Sequence, residues 1–102
     1  MPKGYWIVHI DVRDPEIYQQ YVKANTAAFA KYGARFLARG GKPLACGGRS
    51  EALEGKARAR NVVLEFESYD GARRYFHSEQ YQAARALREG AAEIEMVLVE
   101  GV

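Results

Sequence analysis

Cysteine is all but missing from this chain: Cys46 stands alone among 102 residues. A single thiol closes no intrachain disulfide, so packing must hold the fold, and a reducing, cytoplasmic setting is expected. Histidine is scarce as well, with two residues, His9 and His77. Two distant histidines and one cysteine do not match the spacing of a structural zinc site, so no metal is expected. The formal net charge is only +2, which gives no electrostatic case for a nucleic-acid or anionic-membrane partner. The apolar run that follows Met1-Pro2-Lys3 is too short and too interrupted for a signal peptide or a membrane span. The glycine pairs Gly40-Gly41 and Gly47-Gly48 lack the Lys-Ser/Thr of a phosphate loop and the strand–turn–helix setting of a dinucleotide fingerprint. No cofactor is therefore expected.

What is present is an ordinary globular composition, 48% hydrophobic and 27% charged, at a length that suits one domain over 1–102. Gly4 to Val12 is rich in Val, Ile and aromatic residues and reads as a strand, with Trp6, Val8, Ile10 and Val12 on one face. Asp14-Pro15-Glu16 opens a helix, because Asp14 can accept from the free N–H groups of the first turn and Pro15 suits the first helical position. Ile17, Tyr18, Tyr21, Ala28, Phe29 and Tyr32 follow at helical spacing, Asn25 falls inside that arc, and Gly33 is the stop. Arg35 to Gly40 reads as a second strand, with Phe36 and Ala38 on one face and Arg35, Leu37 and Arg39 on the other. Gly40 to Arg60 reads as a long exposed connection with a short strand around Ser50 to Leu53, and Lys56, Arg58 and Arg60 as solvated charges. Asn61 to Glu67 is a third strand. Ser68 caps a helix that breaks near His77 and restarts at Ser78, Gly90 ends it, and Glu93 to Glu100 is the last strand.

Strand, helix, strand, strand, helix, strand is the order of a ferredoxin-like βαββαβ fold, an α+β class with two helices on one face of a four-stranded antiparallel sheet. One face of each strand is apolar and meets the helices. The other face carries Tyr5, Ile7, Leu37, Val63, Val97 and Val99, a patch large enough to mark an interface. Its economical partner is the same face of a second copy.

Several segments, in order, resemble a known family: Lys3-Gly4-Tyr5-Trp6-Ile7-Val8-His9, Lys31-Tyr32-Gly33-Ala34-Arg35-Phe36-Leu37, Arg39-Gly40-Gly41, Leu53-Glu54-Gly55, Glu65-Phe66 and His77-Ser78-Glu79-Gln80-Tyr81-Gln82. They are similar to the family known only as domain of unknown function 1330 (DUF1330). The resemblance implies a dimeric α/β barrel, in which two ferredoxin-like sheets pair their helix-free faces, and it implies no reaction. The stretch between Gly41 and Leu53, with Pro43, Cys46, Gly47 and Gly48, is longer than the family pattern leads one to expect. It reads as an arm, a lid or an inert insertion.

Candidate chemistry falls in two places. On the helix-free face His9, Glu65 and Arg39 can lie across adjacent strands, as a proton-transfer and anion-holding group or as a hydrogen-bonded network that fixes dimer register. At the helix break His77 is a candidate acid/base or a surface cap, with Asn25 and Tyr32 as candidate lining of a cavity between helices and sheet. Two functions follow from different classes. One is a small-molecule-binding or structural homodimer with no assignable reaction. The other is a cofactor-independent oxygenase or isomerase for a small aromatic or polyketide-like substrate.

Overall fold

The computed structural model describes residues 2–41 and 48–102, so Pro43, Cys46 and Gly47 lie outside the described residues. The elements are β1 Gly4–Val12, α1 Pro15–Lys31, β2 Arg35–Gly41, β3 Arg60–Phe66, α2 Tyr69–Phe76, α3 Glu79–Leu87 and β4 Ala92–Glu100. The strands form one sheet in the order β2-β3-β1-β4, with each neighbouring pair antiparallel. This is the expected ferredoxin-like topology. No described helix is long and apolar enough to cross a membrane.

The caps act as their residue types require. Asp14 Oδ1 accepts from the Ile17 backbone N–H at 3.2 Å, with Pro15 at the first helical position. Gly33 follows α1 at φ +73°, a conformation that side chains disfavour. Ser68 caps α2 through the Gly71 N–H and Ser78 caps α3 through the Tyr81 N–H. The second crossover is therefore two short helices where a single broken one was expected, and the sheet carries three helices.

Alternation in β1 buries Trp6, Val8 and Ile10, and alternation in β3 buries Val62, Leu64 and Phe66. These side chains meet Tyr18, Tyr21 and Phe29 of α1, Ala72 and Tyr75 of α2, and Tyr81 and Ala84 of α3 in one core. Trp6 is its hub, with ring centroids of Phe66, Tyr75 and Tyr81 at 5.0, 5.5 and 5.1 Å.

Two expectations fail here. Ser50 to Leu53 forms no strand. Outside the four strands the described residues make one isolated bridge, Gly40 to Gly48, and Ser50 instead takes a side-chain hydrogen bond from Asn61. The second failure is in β2. Phe36 stands opposite Leu64 but Ala38 opposite Val63, so Leu37 is an extra residue at a bulge. A bulge inverts the alternation that follows it. Ala38 moves to the helix-free side with Val63, and Arg39, opposite Val62, moves to the helix side. The close return of the chain also needs Gly41, at φ +99°: a Cβ there would sit 1.9 Å from the Ala59 carbonyl oxygen.

Candidate functional site

The helix-free face divides in two. One half is apolar: Ile7 stands between Val63 and Val97 in the register, and Tyr5 beside Val99. Val97 and Val99 remain 54% and 42% exposed. The other half is a recess of about 460 Å³ bordered by His9, Asp11, Lys56, Arg58, Asn61 and Glu95. Arg58 is its anchor and not a solvated charge. One guanidinium nitrogen donates to Asp11 at 2.8 Å and Glu93 at 3.1 Å, and the other to Glu95 at 2.9 Å. The Ala59 backbone N–H bonds the second Asp11 oxygen at 2.9 Å. That bond, with Arg58, holds the Asp11 carboxyl below its ordinary range against the opposing effect of burial. Asn61 donates to Ser50 Oγ and to the Arg58 carbonyl. Its Oδ1 is thereby left to accept from His9 Nδ1 at 2.6 Å.

The expected group of His9, Arg39 and Glu65 does not form. His9 is paired with Asn61. Glu65 lies four residues further along β3, where Arg35 Nε donates to it at 2.7 Å and Tyr5 Oη at 3.2 Å. These donors outweigh its partial burial and keep the carboxyl below its ordinary range. Arg39 is on the opposite side of the sheet, its guanidinium 4.3 Å from the Phe36 ring centroid. The bulge at Leu37 is the cause of its side, because an unbroken alternation would have kept Arg39 on the face that holds Glu65. Arg60, expected in solvent, opens β3 on the helix side and is buried.

Asn25 and Tyr32 also go elsewhere than the His77 cavity. Tyr32 donates to Gln80 Oε1 at 3.1 Å and packs on Tyr75 at 4.8 Å between centroids. Asn25 is buried and satisfies hydroxyls rather than backbone. Tyr75 Oη donates to Asn25 Oδ1 at 2.5 Å, and Asn25 Nδ2 donates to Tyr21 Oη at 3.1 Å. Tyr21 and Tyr81 hydroxyls meet at 3.0 Å, and Arg88 Nη2 donates to Tyr81 Oη at 3.3 Å. A hydrogen-bonded chain thus runs through the core from α2 to the end of α3. Burial holds the Tyr21 and Tyr75 hydroxyls well above the usual phenol range and pushes Tyr18 up to about 12.

His77 does line a cavity. Between α2, α3 and the β4 side of the sheet lies a cleft of about 590 Å³, within the span of small-molecule sites. Its floor is Trp6, Phe76, Ala92, Ile94, Met96 and Leu98, and its polar lining is Arg73, His77, Arg85 and Arg88. The apolar residues of β4 alternate with Glu93, Glu95, Val97 and Val99 on the far side, which is why no carboxylate of the strand reaches the cleft. Among the described residues no carboxylate pairs with Arg73, Arg85 or Arg88. Arg88 is the most constrained of the three. Its guanidinium lies 5.0 Å from the Tyr21 ring centroid, and its buried Nε has no hydrogen-bond partner among the described residues. Leaving such a donor unmet costs on the order of 1–3 kcal/mol. The three arginines escaped the sequence reading. Their signal was present in Arg85 and Arg88, three residues apart at the end of an amphipathic helix with no acid one turn before either.

The fold has solved counterparts. A protein of unknown function from Rhodopseudomonas palustris matches with a TM-score of 0.71 at 13% identity, over 99% of this chain and 83% of its own. SnoaB, a cofactor-independent oxygenase from Streptomyces nogalater, matches at 0.67 and 12% identity, over 97% of this chain and 92% of its own. A dimeric protein of unknown function with a ferredoxin-like fold from Bacteroides fragilis matches at 0.65 and 19% identity, over 96% and 95%. Identities this low mark a shared fold. No curated protein sequence matches the chain. The profile of the family described as domain of unknown function (DUF1330) matches residues 3–102, and the chain belongs to that family.

Proposed function

We propose that the protein is a cytoplasmic homodimer that binds a small anionic molecule with an apolar body in the cleft between α2, α3 and β4. The observation that carries the reading is the lining: an apolar floor under three arginines that no carboxylate among the described residues neutralises. Apolar walls with a few convergent polar groups are the ordinary form of a small-molecule site. Unpaired guanidiniums over such a floor favour an anion, because their planar donors fit carboxylate geometry. Dimerisation through Tyr5, Ile7, Val63, Val97 and Val99 leaves the cleft open, since those residues occupy the opposite side of the sheet. The dimeric relative from Bacteroides fragilis supports this pairing.

The test is calorimetric titration of the purified protein with 2-naphthoate. One site per chain is expected, with affinity reduced by Arg85→Ala and abolished by filling the floor with Met96→Trp. Absence of saturable binding, or binding indifferent to both substitutions, overturns the reading. A cofactor-independent oxygenase is the second reading, favoured by the likeness in fold to SnoaB and by His77 beside the same cleft. Dissolved-oxygen consumption with electron-rich fused-ring phenols, lost in His77→Ala, is its expected sign.

A further inference from the structure

Four hydrogen-bonding side chains in the core do more than fill volume. Tyr21, Asn25, Tyr75 and Tyr81 are each buried, and phenylalanine or leucine would pack there without a polar group to satisfy. Their bonds run in one line, Tyr75 to Asn25 to Tyr21 to Tyr81, and end on Arg88. Asn25 fixes Tyr21 from α1, Tyr75 fixes Asn25 from α2, and the last hydroxyl meets a guanidinium that lines the cleft. Tyr81 itself is not part of the cleft wall, so whatever it does for a ligand it does through Arg88.

Arg88 differs from its neighbours in the same lining. Arg73 and Arg85 are exposed and held by no hydrogen bond among the described residues. Arg88 is half-buried, bonded at Nη2 and stacked on the Tyr21 ring. A freely rotating arginine loses rotamer freedom on gripping an anion, and one already fixed loses less. The acceptors it has are neutral hydroxyls, which hold a guanidinium in place without cancelling its charge. A carboxylate in the same role would have consumed that charge.

We infer that Arg88 holds the carboxylate of the ligand and that Tyr75, Asn25, Tyr21 and Tyr81 form a positioning chain that presets it. This inference rests on the cleft being the binding site. It assigns the ligand a monoanionic carboxylate on a flat apolar body, with the larger share of the selectivity for charge written by Arg88 and a smaller one by the mobile Arg73 and Arg85.

The experiment compares 2-naphthoate with the neutral 2-naphthamide, which share a body and differ in charge. The wild-type protein is expected to prefer the carboxylate by at least tenfold, as a charge-assisted hydrogen bond allows. Arg88→Gln should remove most of the preference for the carboxylate over the amide. Tyr81→Phe keeps the ring and removes only the hydroxyl, and it should reduce the preference roughly fivefold to tenfold with amide affinity unchanged. Tyr21→Phe should act in the same direction and serves if Tyr81→Phe does not fold. The nitrogen-15 resonance of Arg88 Nε supplies a ligand-free readout, with a slowly exchanging proton in the wild type and a fast one in Tyr81→Phe. A preference unchanged in Arg88→Gln, or unchanged in both tyrosine variants, overturns the inference and leaves the cleft reading intact. Failure of both ligands to bind the wild type overturns the two together.

Discussion

The two faces of this sheet treat arginine in opposite ways. On the helix-free face Arg13 meets Glu93, Arg35 meets Glu65, and Arg58 meets Asp11, Glu93 and Glu95. In the cleft on the other side Arg73, Arg85 and Arg88 meet no acid among the described residues. Each pair on the first face has at least one exposed member and contributes little to folding, since such bridges are worth about 0–1 kcal/mol each. Their effect is to neutralise the border of an apolar patch so that a like surface can approach it. The cleft keeps its charge, and charge without a partner is a cost to the fold that a bound anion relieves. On the proposed reading, one face is covered by a second copy and the other is filled by a ligand.

The sharpest way to break this comparison is Val97→Glu. Val97 is 54% exposed in the single chain and lies next to Ile7 in the middle of the patch. A carboxylate there costs the monomer little, but pairing two copies would bury it without a partner, at several kcal/mol. The dissociation constant of the dimer should rise by a factor of at least 100 in sedimentation velocity, with the far-ultraviolet circular dichroism unchanged. Arg85→Glu, in the cleft, should leave the sedimentation as it is. A Val97→Glu protein that remains dimeric would show that the apolar patch is not the interface.

The sequence was most informative where a residue's chemistry acts locally. Asp14, Ser68 and Ser78 cap the helices they were expected to cap. Period-two alternation assigned Trp6, Val8, Ile10, Val62, Leu64 and Phe66 to the core. The candidate site was less legible, because it depends on register. A single extra residue at Leu37 carried Arg39 across the sheet, and the register of β1 on β3, with His9 opposite Asn61 and Tyr5 opposite Glu65, kept the other two apart. Nothing in Arg35-Phe36-Leu37-Ala38-Arg39 announces a bulge. Asn25 was seen as a polar residue in an apolar arc, but its partners come from 4 and 50 positions away. His77 was placed at a helix break and does border a cleft, whereas the arginines beside it were not singled out.

A second prediction separates the regions along the pH axis. Tyr18, Tyr21 and Tyr75 have hydroxyls raised above the usual phenol range of about 10 by burial, Tyr18 to about 12. A group whose pKa is higher folded than unfolded gives stability that is complete below the unfolded value and lost as pH rises through the folded one. Stability should thus be level below pH 10 and fall from there to pH 12 and beyond, by about 1.4 kcal/mol per pH unit for each phenol that ionises only on unfolding. Urea unfolding at intervals from pH 8.5 to 11.5 measures the slope, and Tyr18→Phe should reduce it by one proton. The helix-free face has the opposite dependence. Asp11 and Glu65 have lowered pKa values, so their contribution is complete above the unfolded carboxyl range and lost as pH falls through the folded values. An alkaline slope unchanged in Tyr18→Phe would mean that this hydroxyl ionises without unfolding.

The smallest effect is expected from the cleft arginines themselves. Arg73 and Arg85 are exposed and share the cleft lining with Arg88. Replacing Arg85 by alanine removes a repelled charge and no hydrogen bond that the described residues make. Surface changes of this kind fall within about 0.5 kcal/mol of neutral, and here the sign should be stabilising, because binding sites retain groups that the fold would do better without. Arg35→Ala, which takes the partner from Glu65, should change stability in the other direction. Both differences are electrostatic, so salt should shrink each. Exposed charges further apart than about 10 Å at 0.1 M, or about 3 Å at 1 M, are largely screened. Added sodium chloride should therefore narrow the gain in Arg85→Ala by relieving the wild type, and narrow the loss in Arg35→Ala by weakening the pair it lacks. Thermal unfolding of the three proteins at 0.02 and 0.5 M sodium chloride gives the signs directly. An Arg85→Ala protein less stable than the wild type at low salt would mean that this arginine has a favourable partner after all, and the contrast between the two faces would then rest on Arg73 and Arg88.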